Sequence, residues 1–339
     1  MARHVLRLAY ARNYMRGSTL HEVIAAVLVL AASGLGAAVS SDLFSSEVEH
    51  ATAAPVGPGA TGAKVLRAQI LLGCARFSPG EIDGRYGDDL GIAIRGYQED
   101  HGLKPTGVID AEMWKLLDSH TGPLLVSYTI TAADVKGPFE RTPSNVADQA
   151  SLKWMGYESP QEGLGEKFHM SPKLLAQLNP GKKLDTAGEQ ITVVNVRLAP
   201  ARRASRVVVS KSRRTVTALG VGDRLLAQYP ATMGGPHDPL PIGNWKIVSV
   251  TRNPWFYWDP VHFWNVDPEK AAEKLPPGPR NPAGVVWMGL SKPHYGIHGT
   301  PDPGHVRHGE SYGCIRLTNW DANDLSHMVV RGTPAILEE

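Results

Sequence analysis

The apolar residues of this chain change their rhythm near residue 200, and no single bundle or sheet can satisfy both rhythms. Between residues 63 and 117, Leu90, Ala93, Ile94 and Tyr97 recur at i, i+3, i+4 and i+7, one face of a helix. From Arg206 onward the apolar runs are short and strand-like: Val207-Val208-Val209, Thr215-Val216-Thr217-Ala218, Leu225 to Tyr229 and Trp245 to Val250, parted by Gly, Asp or Pro. The expected fold class is therefore multidomain α+β, and 339 residues leave room for two or three domains. Only two cysteines occur, Cys74 and Cys314, in different segments, so no disulfide framework holds the chain.

Residues 1–40 read as a signal peptide or signal anchor. Arg3, Arg7, Arg12 and Arg16 precede an apolar run from Val23 to Val39, and the small residues Ala37, Ala38 and Ser40 follow at a cleavage-like site. Export to the periplasm or cell envelope is the expectation, with membrane contact only through this segment if it stays uncleaved. Residues 41–62, rich in Ala, Gly, Pro and Ser, are expected to form a flexible linker. Residues 63–118 divide into three helical pieces around Asp83-Gly84-Arg85-Tyr86-Gly87 and Gly107-Val108-Ile109-Asp110, with Asp110 placed to cap the last, so a small three-helix bundle is predicted. Residues 124–197 begin and end with alternating strands and carry a helix opened by Ser171-Pro172 and stopped by Asn179-Pro180-Gly181. That gives a βααβ order interrupted by a polar, turn-rich insertion at 132–163. Residues 204–339 should be mostly β, with one helix after Cys314 opened by Thr318-Asn319-Trp320-Asp321.

Chemistry is concentrated in Ser311-Tyr312-Gly313-Cys314-Ile315-Arg316-Leu317 and, just upstream, Tyr295-Gly296-Ile297-His298-Gly299-Thr300. A free cysteine is by default a small, inert, buried hydrophobe. Cys314, however, follows a glycine at a loop-to-strand junction, where its amide can face a developing negative charge, and His298 ends a strand-like run as a base would. Cys74 lies on an apolar helical stretch and is expected to pack in a core; a Cys74–Cys314 bridge is the alternative, and it would consume the nucleophile. His294, His305 and His308 lie near the site but lack a His-x-x-x-His helix or paired cysteines, so no metal and no cofactor is expected. Basic and acidic residues nearly balance, 35 against 33, which leaves no field for nucleic acid. The aromatics Trp255 to Trp258, Phe263 and Trp264 belong either to a loop packed on the sheet or to a lid over substrate, and the flanking prolines favour a stiff covering loop.

His298-Gly299 followed by Ser311-x-Gly313-Cys314-x-Arg316, together with the stretches 239–245 and 276–284, resembles the signature of the L,D-transpeptidase (YkuD-type) catalytic domain. The resemblance covers about 206–339, and the domain is taken as 204–339. It implies a thiolate–imidazolium pair between Cys314 and His298, and a Gly299 carbonyl that holds the imidazole in place of a carboxylate. It also implies an oxyanion hole from the amides of Tyr312, Gly313 and Cys314. Ser311, Arg316 and Tyr295 would shape the substrate site, Arg316 by meeting a substrate carboxylate or by holding the loop. The implied reaction is attack on a peptidoglycan tetrapeptide stem, loss of the terminal D-alanine, and transfer from a thioester to an amine of another stem, or in some members of an outer-membrane lipoprotein. Hydrolysis of the same thioester, or wall binding without catalysis, are the alternatives. Many members of the family have histidine where this chain has Tyr312, which bears on pocket shape more than on catalysis. Residues 63–118 resemble a peptidoglycan-binding module, and 124–197 a LysM-like glycan binder with an insertion; the implied partners are stem peptides and glycan.

Overall fold

The structure is a computed structural model that describes residues 44–50, 54–119 and 122–339. The expected signal segment at 1–40 lies outside the described residues.

The first unit holds α1 (Ala63–Cys74), α2 (Asp88–Asp100) and α3 (Ala111–Leu117). The apolar stripes meet in a core that includes Leu66, Ile70, Leu90, Ile94 and Met113. Asp110 caps α3 by accepting from the Met113 amide at 2.9 Å. The buried Gln69 secures the turn before α2: its Oε1 accepts from the Gly84 amide and its Nε2 donates to Asp83. The linker expectation fails for residues 54–62. Val56 is buried and pairs in both directions with the Ile109 backbone, Thr61 bridges to Arg85, and Trp114 Nε1 donates to the Ala54 carbonyl.

The second unit runs β1 (Leu125–Thr129), α4 (Val146–Ala150), α5 (Pro160–Lys167), α6 (Pro172–Leu178) and β2 (Gln190–Val194), with β1 and β2 antiparallel. Ser159 and Ser171 cap α5 and α6, each followed by proline in the first turn, where a missing N–H costs nothing. The insertion contributes α4 and the loops around it. Leu164, Leu174, Leu175, Ile191 and Val193 join the same buried cluster as the first unit, so the two share one core.

The third unit is built on β3 (Arg206–Ser210), β4 (Thr215–Leu219), β5 (Leu225–Pro230), β6 (Gly243–Arg252), β9 (Val286–Leu290), β10 (Gly296–His298), β11 (Ile315–Arg316) and β12 (Pro334–Glu338). They form an eight-stranded sheet ordered β11-β10-β9-β6-β12-β3-β4-β5. The parallel neighbours are β3 with β12 and β10 with β11; the remaining pairs are antiparallel. Alternate residues such as Val207, Val209, Ala335 and Leu337 point into a core closed by α7 (Asn319–Met328). A separate hairpin, β7 (Phe256–Trp258) with β8 (Glu273–Leu275), stands off the main sheet.

The units are docked rather than strung on linkers. Ser78 N donates to Gln228 O and Gln228 N to Arg76 O, adding a bridge at the β5 edge. Arg76 pairs with Asp324 at 3.1 Å, Ser78 Oγ donates to Asp321 at 2.8 Å, and Arg307 pairs with Asp89 at 2.9 Å. A Cβ on Gly96 would sit 2.4 Å from the Gln228 side chain, a closeness that only glycine permits.

Candidate active site

Parallel pairing of β10 with β11 sets Ile297 beside Ile315 and His298 beside Arg316, which brings Cys314, at the mouth of β11, next to the histidine strand. The buried His298 ring stacks on Trp287 with centroids 5.2 Å apart, and its Nδ1 lies 2.7 Å from the Gly299 carbonyl. A carbonyl only accepts, so Nδ1 carries the proton and Nε2 keeps its lone pair. Burial, reinforced by the positive charge of Arg316, pushes the His298 pKa down to about 3. Burial raises the Cys314 pKa, opposed by a hydrogen bond from Gly296 and by Arg316. The half-buried thiol donates to the His294 carbonyl at 3.6 Å. Burial thus disfavours the charged form of each group taken singly, the thiolate of Cys314 and the imidazolium of His298.

The nucleophile loop is pinned at both ends. Ser311 N donates to Met233 O, while Arg316 and Thr232 exchange backbone hydrogen bonds; the Ser311 hydroxyl reaches across the turn to the Cys314 carbonyl. Between these pins, the amides of Tyr312, Gly313 and Cys314 have no acceptor among the described residues. Gly313 has φ 89°, and a Cβ there would meet the Tyr295 ring at 2.6 Å. No other residue fits without displacing Tyr295 or the loop.

Tyr312, the departure from the common histidine, turns toward the long β7–β8 loop. Its hydroxyl donates to Asn265 Oδ1 at 2.7 Å and its ring meets Phe263 edge-on at 4.6 Å. In the same loop Trp264 stacks on His237, and His262 approaches His294. This segment therefore packs against residues on either side of the cysteine, Tyr312 and His294, and against His237. The partly buried guanidinium of Arg316 makes no hydrogen bond or ion pair with a described residue.

His305 is exposed and paired with Asp302 at 2.8 Å, away from His298. Cys74 donates to Asn195 O and accepts from Arg197 N; both cysteines are free, so the bridged alternative falls. Sequence reading missed Asn319, which it took only as the second residue of a helix cap. Its Oδ1 accepts from Val285 N at 3.1 Å, and its Nδ2 donates to the Pro279 carbonyl and to Glu166 of the second unit, each at 3.1 Å. It also abuts Gly299, where an added Cβ would lie 2.2 Å from Oδ1. Only a buried, fully satisfied side-chain amide distinguishes it, and no spacing rule encodes that.

Residues 204–337 match the family described as "L,D-transpeptidase catalytic domain" (YkuD), and residues 61–117 match the "Putative peptidoglycan binding domain". The chain is 32% identical over 174 residues to the "Putative L,D-transpeptidase YkuD" of Bacillus licheniformis, covering 51% of this chain and 89% of that protein. To the protein of the same name from Bacillus subtilis it is 30% identical over 167 residues, covering 49% and 85%. Among solved structures, the L,D-transpeptidase of Xylanimonas cellulosilytica aligns with 85% of this chain and all of that one, at 15% identity and a TM-score of 0.37. With a relative covered over nearly its whole length and the cysteine and histidine strands paired as above, the chain belongs to the YkuD family of L,D-transpeptidases, which are cysteine-dependent acyltransferases.

Proposed function

We propose that Cys314 is the nucleophile and His298 the base of an L,D-transpeptidase that acts on peptidoglycan stems. Nε2 of His298 takes the Sγ proton as sulfur attacks the carbonyl of the third residue of a tetrapeptide donor. The tetrahedral oxyanion points at the amides of Tyr312, Gly313 and Cys314, each worth roughly 3 kcal/mol in such a role. The imidazolium returns its proton to the nitrogen of the departing D-alanine, leaving a thioester. A neighbouring amine attacks that thioester, losing its proton to Nε2, and the thiol is regenerated with a 3→3 cross-link formed. The Nδ1–H tautomer leaves Nε2 free to take that proton as sulfur attacks. The unpaired cation of Arg316 suits a carboxylate of the stem.

The observation that carries this reading is the imidazole fixed by Gly299 as an Nδ1–H tautomer beside a cysteine loop with three unpaired amides. The first unit would hold the enzyme on the wall, and the second, whose two strands enclose three helices, would add LysM-like glycan contacts. The site of action is then the periplasm or cell envelope, with a second stem, a lipoprotein amine or water as acceptor. Among the described residues no helix is long and apolar enough to cross a membrane.

Intact-protein mass after incubation with a carbapenem tests the assignment. The wild type should gain one drug molecule, Cys314→Ser none, and Cys74→Ser one. Modification that survives Cys314→Ser and disappears in Cys74→Ser would overturn it. Mass spectrometry of wall fragments, scored for 3→3 dimers against shortened stems, separates transfer from hydrolysis.

A further inference from the structure

The 132–163 insertion, foreign to a minimal βααβ unit, meets the catalytic unit at the root of the β7–β8 hairpin. A two-stranded hairpin with three-residue strands cannot stand alone in water, and a long loop between them increases the need for support. The support comes from a small third apolar cluster, separate from the two main cores. Met155, Trp258 and Leu275 are buried there, with Val146, Ala150 and Leu152 of the insertion on one side and Phe256, Phe263 and Val266 of the hairpin on the other.

Backbone and charge contacts fix the same joint. Met155 N donates to Pro277 O at 2.9 Å and Met155 O accepts from Arg280 N at 3.1 Å. Gly278, at φ 145°, lies so close that a Cβ would fall 2.1 Å from the Met155 carbonyl oxygen. Arg280 then fans out to the second unit, donating from Nε to Thr142 Oγ1 at 2.8 Å and pairing with Glu162 at 2.6 Å and Glu158 at 3.0 Å. At the far end of the hairpin, Phe263 and Asn265 hold Tyr312, two residues before Cys314.

We propose that the insertion is a brace that holds the β7–β8 hairpin over Cys314, with Met155 and Arg280 as positioning residues for the donor stem. The assignment rests on Cys314 being the nucleophile. It gives the second unit a role in substrate recognition separate from any glycan binding: the brace sets the height of the cover, and the cover sets the width of the channel in which the extended stem must lie.

The test uses the full chain with Met155→Ala, Met155→Leu and Arg280→Gln. Hydrogen exchange of peptides spanning 256–275 should quicken in Met155→Ala and in Arg280→Gln while the β3, β4 and β12 peptides keep wild-type rates. The KM for a tetrapeptide fragment should rise about tenfold with kcat changed less, as expected when a contact that holds ground state and transition state alike is loosened. Met155→Leu, which refills the cluster, should restore both. The brace is refuted if exchange in 256–275 is unchanged in both Met155→Ala and Arg280→Gln, if the quickening spreads evenly over the catalytic sheet, or if the hairpin loosens while donor KM stays within twofold. The exchange measurement does not depend on turnover, and failure of Cys314 to acylate in the wild type would strike the nucleophile assignment instead.

Discussion

Asn319→Ala should damage both stability and acylation, through different neighbours. The side chain is almost wholly buried and bonds to three partners: the Val285 amide, the Pro279 carbonyl and the Glu166 carboxyl. Truncation strands a backbone N–H and a backbone C=O, each costing about 1–3 kcal/mol when left buried and unpaired. It also removes the Glu166 tie, on a carboxyl that burial already raises to about 7. The sum is a loss of about 3–5 kcal/mol, a large part of a typical domain's stability. Catalysis should suffer because Asn319 Oδ1 fills the space beside Gly299, and a Gly299 carbonyl free to turn no longer fixes the His298 tautomer. Acylation by a carbapenem, measured on the folded fraction, should slow by about 10–100-fold, short of the 10²–10⁴ expected for losing a base outright. Urea unfolding and stopped-flow acylation on the same preparation give both numbers. If stability falls by less than 1 kcal/mol, by the same unpaired-group cost, the buried network is not what it looks like. If stability falls as expected but folded protein acylates within twofold of wild type, the link through Gly299 is wrong.

Gly313→Ala combines a positive φ with a clash against Tyr295, so it should cost about 1–3 kcal/mol and turn the oxyanion amides out of line; wild-type acylation in a folded Gly313→Ala protein would refute the oxyanion role. Asp321, buried against Ser78, is raised by burial to about 8. A raised carboxylate pKa contributes stability that is complete below the unfolded value near 4 and is lost as pH climbs through 8, on the order of 1 kcal/mol per pH unit in between. Asp321→Asn removes that dependence, so its melting temperature relative to wild type should climb between pH 5 and pH 8, and a constant difference would contradict the buried, protonated state.

What short spacings encode was readable in the chain. The Asp110, Ser171 and Thr318 caps, the alternating strands and the position of Cys314 after a turn glycine all depend on residues within three or four places of each other. The pairing of a cysteine motif with a histidine motif was also legible, because each occupies its own short run. Tertiary structure alone decided the rest. Ser78 meets Asp321, Arg280 meets Glu162 and Asn319 meets Glu166 across long stretches of chain. The linker predicted at 41–62 ignored the pairing of Val56 with Ile109 for the same reason. Protonation was likewise beyond the sequence, since reference values favour neither a histidine at about 3 nor an aspartate at about 8. Burial sets those values, and burial belongs to the assembled fold: how far water is removed from a side chain depends on every element packed over it, not on the residues beside it in the chain.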